Sequence, residues 1–109
     1  QLKVIQYKRG ENMNPKVYDE NVRNLYRALL ALKNEEECGA FLEDLCTISE
    51  IKSMAQRLEV AMLLDKKEIY SEIAAATGAS TATISRVSRC LNYGTDGYKT
   101  VLGRIEEDK

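Results

Sequence analysis

The sequence predicts an all-α fold of six short helices, and three observations carry that prediction. The 109 residues include one proline, so long stretches run without a helix breaker. Leucine, alanine and valine recur at three- and four-residue spacing along much of the chain, the period of a helix with one apolar face. The segment Tyr70–Leu91, YSEIAAATGASTATISRVSRCL, reads as two short amphipathic helices meeting at Gly78, a helix-turn-helix.

The elements follow in chain order. Residues 1–13 are polar and irregular and predict a flexible N-terminal arm. Met13 is a candidate natural start, with the preceding residues as translated leader. The remaining span, 14–109, is expected to form one domain. Asn14-Pro15 suits a helix opening, Asn as N-cap and Pro at the first helical position. Val17, Val22, Leu25, Leu29, Leu30 and Leu32 then suggest a helix to about Lys33. Asn34 followed by Glu35, Glu36 and Glu37 marks a second N-terminus, the acidic residues complementing the helix dipole, with Phe41, Leu42 and Leu45 as its stripe. Thr47-Ile48-Ser49-Glu50 is a capping box. The third helix behind it carries Ile51, Met54, Ala55, Leu58, Ala61, Met62 and Leu64 as core. Asp65-Lys66-Lys67 turns the chain into the helix-turn-helix, Asn92-Tyr93-Gly94 closes it, and a last helix begins near Asp96 with Tyr98, Val101, Leu102 and Ile105.

Within the helix-turn-helix, Gly78 allows the positive φ angle that a sharp turn requires. Ile73, Ala74 and Thr77 before it, and Ala79, Ile84 and Val87 after it, give each helix a small face to pack. Ala74 matters because helices crossing steeply approach closely. Six short helices make a thin monomer core, which homodimerisation would thicken while presenting two recognition helices with two-fold symmetry.

Composition excludes several function classes. Histidine is absent and the three cysteines, Cys38, Cys46 and Cys90, form no close pair, so neither a zinc site nor any other metal or cofactor is expected. No serine, cysteine or carboxylate stands beside an activating partner, and no catalytic residue is assigned. No apolar run could span a bilayer and no signal peptide is visible, so a cytoplasmic protein is expected. Net charge is −1, from 16 basic and 17 acidic residues. Glu35, Glu36, Glu37 and the tail Glu106-Glu107-Asp108 hold much of the negative charge, whereas Lys52, Arg57, Lys66, Lys67, Arg86 and Arg89 lie in or shortly before the motif. A local basic face and scattered solvated charges both remain open.

The stretch Thr47–Leu91 resembles the Trp repressor superfamily. TGASTATISRVSRCL is similar to that family's recognition-helix signature, with the capping box and RLEVAMLL helix at matching spacing. The opening LYRALLALKNEEECGAFLEDLCTISEIKSMAQRLEVA points to its YerC/YecD-type branch, and the resemblance spans about residues 17 to 105. It implies a six-helix Trp repressor-like fold, an intertwined homodimer, and a transcription factor, a repressor, that docks two recognition helices in successive major grooves of a palindromic operator. It also maps a ligand cleft. Thr47, Arg57 and Arg86 match the threonine and the two arginines around the corepressor's indole. Val87 stands where the family has glycine, and Cys90 where it has a serine that helps hold the ligand's carboxylate; a thiol is a weaker donor. The cleft therefore reads as vestigial and L-tryptophan is not expected as corepressor, with a different small effector as the rival reading.

If Ser80 caps the second motif helix, Thr81, Ala82 and Thr83 lie in its first turn and Ser85, Arg86 and Arg89 follow. Thr and Ala can touch a thymine methyl, Ser and Thr can bond either base edge, and Arg can fork onto guanine or grip phosphate. Tyr70 and Ser71 are placed for DNA-backbone contacts. The alternative from another class is a helix-turn-helix used for protein interaction. Arg86 and Arg89 favour DNA over it.

Overall fold

The computed structural model describes residues 14–107, so the expected arm over residues 1–13, and Asp108 of the acidic tail with Lys109 after it, fall outside the described residues. Among these residues there are six helices and no strand, in the expected order: α1 (Glu20–Ala31), α2 (Glu35–Leu45), α3 (Ile48–Asp65), α4 (Tyr70–Thr77), α5 (Thr81–Tyr93) and α6 (Gly97–Glu107). The chain divides into two compact units, Gln1–Leu45 and Cys46–Lys109.

In the first unit the expected helix start at Asn14-Pro15 is corrected. The Asn14 side chain accepts from the Lys16 N–H at 2.9 Å, and its carbonyl accepts from the Val17 N–H at 2.9 Å, which closes a turn. Asp19, in extended conformation, then caps α1 by accepting from the Val22 N–H at 2.9 Å. An aspartate that can bond the backbone locally competes with continuing a helix through it, and here it restarts the chain. Asn34 does cap α2, accepting from the Glu37 N–H at 2.8 Å, while the Glu37 carboxylate accepts from the Lys33 N–H at 2.9 Å. Tyr18 and Tyr26 stack with ring centroids 6.3 Å apart. Neither helix contains a fully buried residue, and Leu25, Leu29, Leu30 and Leu45 are exposed, Leu30 by 78%.

The second unit holds the core. The Thr47 hydroxyl accepts from the Glu50 N–H at 3.1 Å and the Glu50 carboxylate accepts from the Thr47 N–H at 2.8 Å, so the predicted capping box starts α3; such a cap stabilises by about 1 kcal/mol. Val60 and Ala61 of α3, Ile73 of α4, Ala79 in the turn, Ile84, Val87 and Leu91 of α5 and Leu102 of α6 form one buried cluster. Each fully buried isoleucine or valine contributes about 1.5–3 kcal/mol. Lys67, at φ 69°, turns the chain from α3 toward α4. Gly78 takes φ 74° and its N–H donates to the Ala74 carbonyl at 2.9 Å, as the sequence required of that position. Gly94 ends α5 for a different reason: a Cβ there would run into the Cys90 carbonyl. Asp96, at φ 66°, accepts at its carbonyl from both the Thr100 N–H and Oγ1 at 3.0 Å and opens α6.

Candidate nucleic-acid interface

The turn between α4 and α5 positions the candidate reading residues. Ser80 is extended, and its hydroxyl accepts from the Thr83 N–H at 3.1 Å, which is the capping role expected of it. The same hydroxyl donates to Thr83 Oγ1 at 3.1 Å. Thr83 is therefore half-buried with its oxygen engaged in the cap, and is less available to a base edge than its neighbours.

The core anchors α5 by Ile84, Val87 and Leu91, spaced three and four residues apart, and so fixes which side faces outward. At about 3.6 residues per turn the opposite side carries Ala82, Arg86, Arg89 and Tyr93, with Thr81 and Ser85 on its flanks. Thr81, Ala82, Arg86 and Arg89 are exposed and Ser85 is half-buried. Tyr70 and Ser71, in the first turn of α4, are exposed as well. Tyr93 is the residue that the sequence reading passed over as a helix stop. It is 87% exposed and lies four residues beyond Arg89, so it extends the outward stripe. The i, i+4 spacing was the available signal.

Charge on this surface is uneven. Arg86 and Arg89 project from α5, but α4 carries no basic residue and begins beside two carboxylates, Glu68 and Glu72. Glu68 hydrogen-bonds Glu72 and repels its charge, and these two effects hold the exposed Glu72 carboxyl above its ordinary value.

The residues assigned to the ligand cleft occupy different environments. Val87 is 1% exposed and packed in the core cluster. The Thr47 hydroxyl is occupied by the α3 cap. Arg57 is half-buried on α3 and Arg86 is exposed on α5. Of the five, only Cys90 lines the apolar groove of about 530 Å³ that Leu58, Gly94, Thr95, Gly97, Tyr98 and Val101 complete. No group of metal-ligating side chains occurs among the described residues, and no helix among them is long and apolar enough to cross a membrane.

Comparisons with known proteins agree on one family. The family model of the Trp repressor protein matches residues 20–106. The chain is 53% identical over 92 residues to the protein YerC of Bacillus subtilis, an alignment covering 84% of this chain and 88% of that one. A TrpR-like protein from Eubacterium eligens superposes with a TM-score of 0.82 at 52% identity, covering 85% of this chain and 96% of that one. A solved structure from Staphylococcus aureus gives a TM-score of 0.80 at 45% identity, covering 84% and 91%.

Proposed function

This chain belongs to the Trp repressor family, in a YerC-like branch, and from that premise we propose that it is a sequence-specific DNA-binding transcription regulator, a repressor. The observation that carries the reading is the outward face of α5. Ala82, Arg86 and Arg89 on the side opposite Ile84, Val87 and Leu91, with Thr81 and Ser85 on its flanks, offer methyl, hydroxyl and guanidinium groups. These are the groups that can read base edges and grip phosphate in a major groove. Short side chains at Thr81, Ala82 and Ser85 suit close approach and water-mediated readout. Tyr70 and Ser71 reach the DNA backbone from α4. With a net charge of −1, non-specific affinity is modest and what there is falls with salt.

The working unit is an intertwined homodimer. The leucines of α1 and α2 support it: helices with an apolar stripe and no buried residue need a partner surface, and a second copy supplies one together with a second α5. Its operator is accordingly palindromic, and its place of action is the cytoplasm. Regulation proceeds without L-tryptophan, because Val87 fills core volume where the family's corepressor pattern has glycine, and Cys90 offers a thiol in place of a hydroxyl.

Selection of duplexes from a randomised pool by the full chain, followed by a genomic binding screen, tests the reading. A two-fold symmetric motif is expected. Enrichment of no sequence overturns DNA reading in favour of a protein-interaction module, and a single-chain mass in sedimentation equilibrium overturns the dimer.

A further inference from the structure

The turn that aims α5 is tied to α3 by one polar contact. Gln56, half-buried on α3, donates from Nε2 to the Thr77 carbonyl at 3.1 Å. Among the described residues this is the only side-chain hydrogen bond that joins two helices. Its acceptor belongs to the last residue of α4, where helix carbonyls lack intrahelical partners. Thr77 carries the restraint into the turn. Its hydroxyl donates to the Ile73 carbonyl at 2.8 Å and accepts from the Ala79 N–H at 3.1 Å, one residue before the Ser80 cap of α5.

The apolar packing around this contact leaves something for it to fix. The α4 helix has eight residues, of which Ile73 alone is fully buried, and its neighbours Ala74 and Ala79 are small. Smooth contacts of this kind resist separation better than they resist sliding, whereas a hydrogen bond is directional. We infer that Gln56 and Thr77 form a brace that sets the register of α4 on α3 and, through the Ala79 N–H, the angle at which α5 presents its reading face. Gln56 is thus a positioning residue for sequence discrimination. This assignment rests on the DNA-reading function proposed above. It also gives the reading head a fixed seat built from the chain's own side chains.

The experiment compares the wild type with Gln56→Met, which keeps the length and loses the donor, and with Gln56→Glu, which keeps the shape but cannot donate when ionised. Thr77→Val removes the hydroxyl bonds, and Thr77→Ser restores them. The probes are the duplex that the wild type selects from a randomised pool and a scrambled duplex of the same length. Both Gln56 variants and Thr77→Val are expected to lose about tenfold in the ratio of selected to scrambled affinity, the effect of leaving a half-buried acceptor or donor unpaired. Binding to the scrambled duplex should change far less, and Thr77→Ser should restore the ratio. Faster amide exchange at Ala79 should accompany the loss in Thr77→Val. Equal losses on both duplexes that follow the thermal stability of each variant mark a purely structural contact and overturn the brace. A wild type that selects a sequence, with Gln56→Met keeping its ratio, overturns the brace alone. A wild type that selects nothing overturns the DNA reading and the brace with it.

Discussion

Replacing Val87 with glycine tests the proposal that core volume stands where the family's corepressor pattern has glycine. The valine side chain is 1% exposed and sits with Val60, Ile73 and Ile84 in the buried cluster. Deleting its three carbons forfeits about 2.4 kcal/mol of burial at about 0.8 kcal/mol per carbon. Glycine within a helix costs a few tenths of a kcal/mol more than valine, roughly 0.4 kcal/mol. The expected loss is therefore about 3 kcal/mol, with any unfilled cavity adding to it. A domain of this size has about 5–15 kcal/mol to lose, so Val87→Gly stays largely folded while its melting temperature falls by about 10–20 °C. Urea and thermal unfolding of both proteins measure the stability, and calorimetric titration of both with L-tryptophan measures the ligand. The wild type is expected to give no binding heat. Micromolar binding by the wild type would refute the reasoning outright. A stability loss below about 1 kcal/mol would show that the side chain does not occupy core volume.

The face of α5 makes separable predictions. Arg89→Ala should weaken binding to every duplex and reduce the salt slope by about one, as expected for a lost phosphate contact. Thr81→Ala should instead shift sequence preference in a repeated selection, and equal losses on all sequences would contradict a base-reading role. Gly78→Ala should cost about 1 kcal/mol in urea unfolding. A Cβ there meets nothing within 4 Å, so the cost is purely that of the left-handed backbone. Glu68→Gln should bring the Glu72 titration, followed by NMR, back toward the ordinary carboxylate range, since Glu68 supplies both main causes of its shift. In the wild type the raised Glu72 value means that the folded chain holds this proton more tightly than the unfolded chain. That contribution favours folding at low pH and is lost as pH rises through the window between the two values. Glu68→Gln should flatten this slope, and an unchanged Glu72 midpoint would count against the carboxyl pair.

What could be read in the sequence was local. Asn34, the Thr47–Glu50 box, Gly78 and Ser80 each act within four residues of themselves, so residue type and spacing are enough to predict their bonds. One local error, at Asn14-Pro15, arose between two such signals, and another lay in the α3 stripe, where Met54 and Ala55 were expected in the core but are exposed and Val60 is buried instead. Asn14 and Asp19 both accept a nearby N–H, and only the second opens a helix. The inward faces of α4 and α5 were also legible, because Ile73, Ala74 and Thr77 before the turn, and Ile84 and Val87 after it, repeat at helical period. Three-dimensional neighbours were not. Gln56 meets Thr77 across 21 positions, and no periodicity announces that pairing. Nor does spacing reveal that Thr83 shares its hydroxyl with the Ser80 cap, which changes its standing as a base reader.

The distribution of burial bears on how such a protein could work without a ligand. Among the described residues, every buried one lies between Val60 and Leu102, in the unit that holds the proposed reading face, while α1 and α2 bury none. A reading head whose seat is already filled by Val87 and tied by Gln56 has little to gain from a small molecule filling the same space. An effector shifts a population only where it binds one state better than another. On the proposed reading, the variable that remains is assembly. On that reading, the exposed leucines of α1 and α2 would make pairing of two chains the step that brings two α5 helices to one operator. Occupancy should then depend on protomer concentration where a ligand-switched relative would depend on its corepressor. Operator titrations at protein concentrations above and below the dimer dissociation constant distinguish these cases. A fixed apparent affinity across that range would argue against assembly as the control.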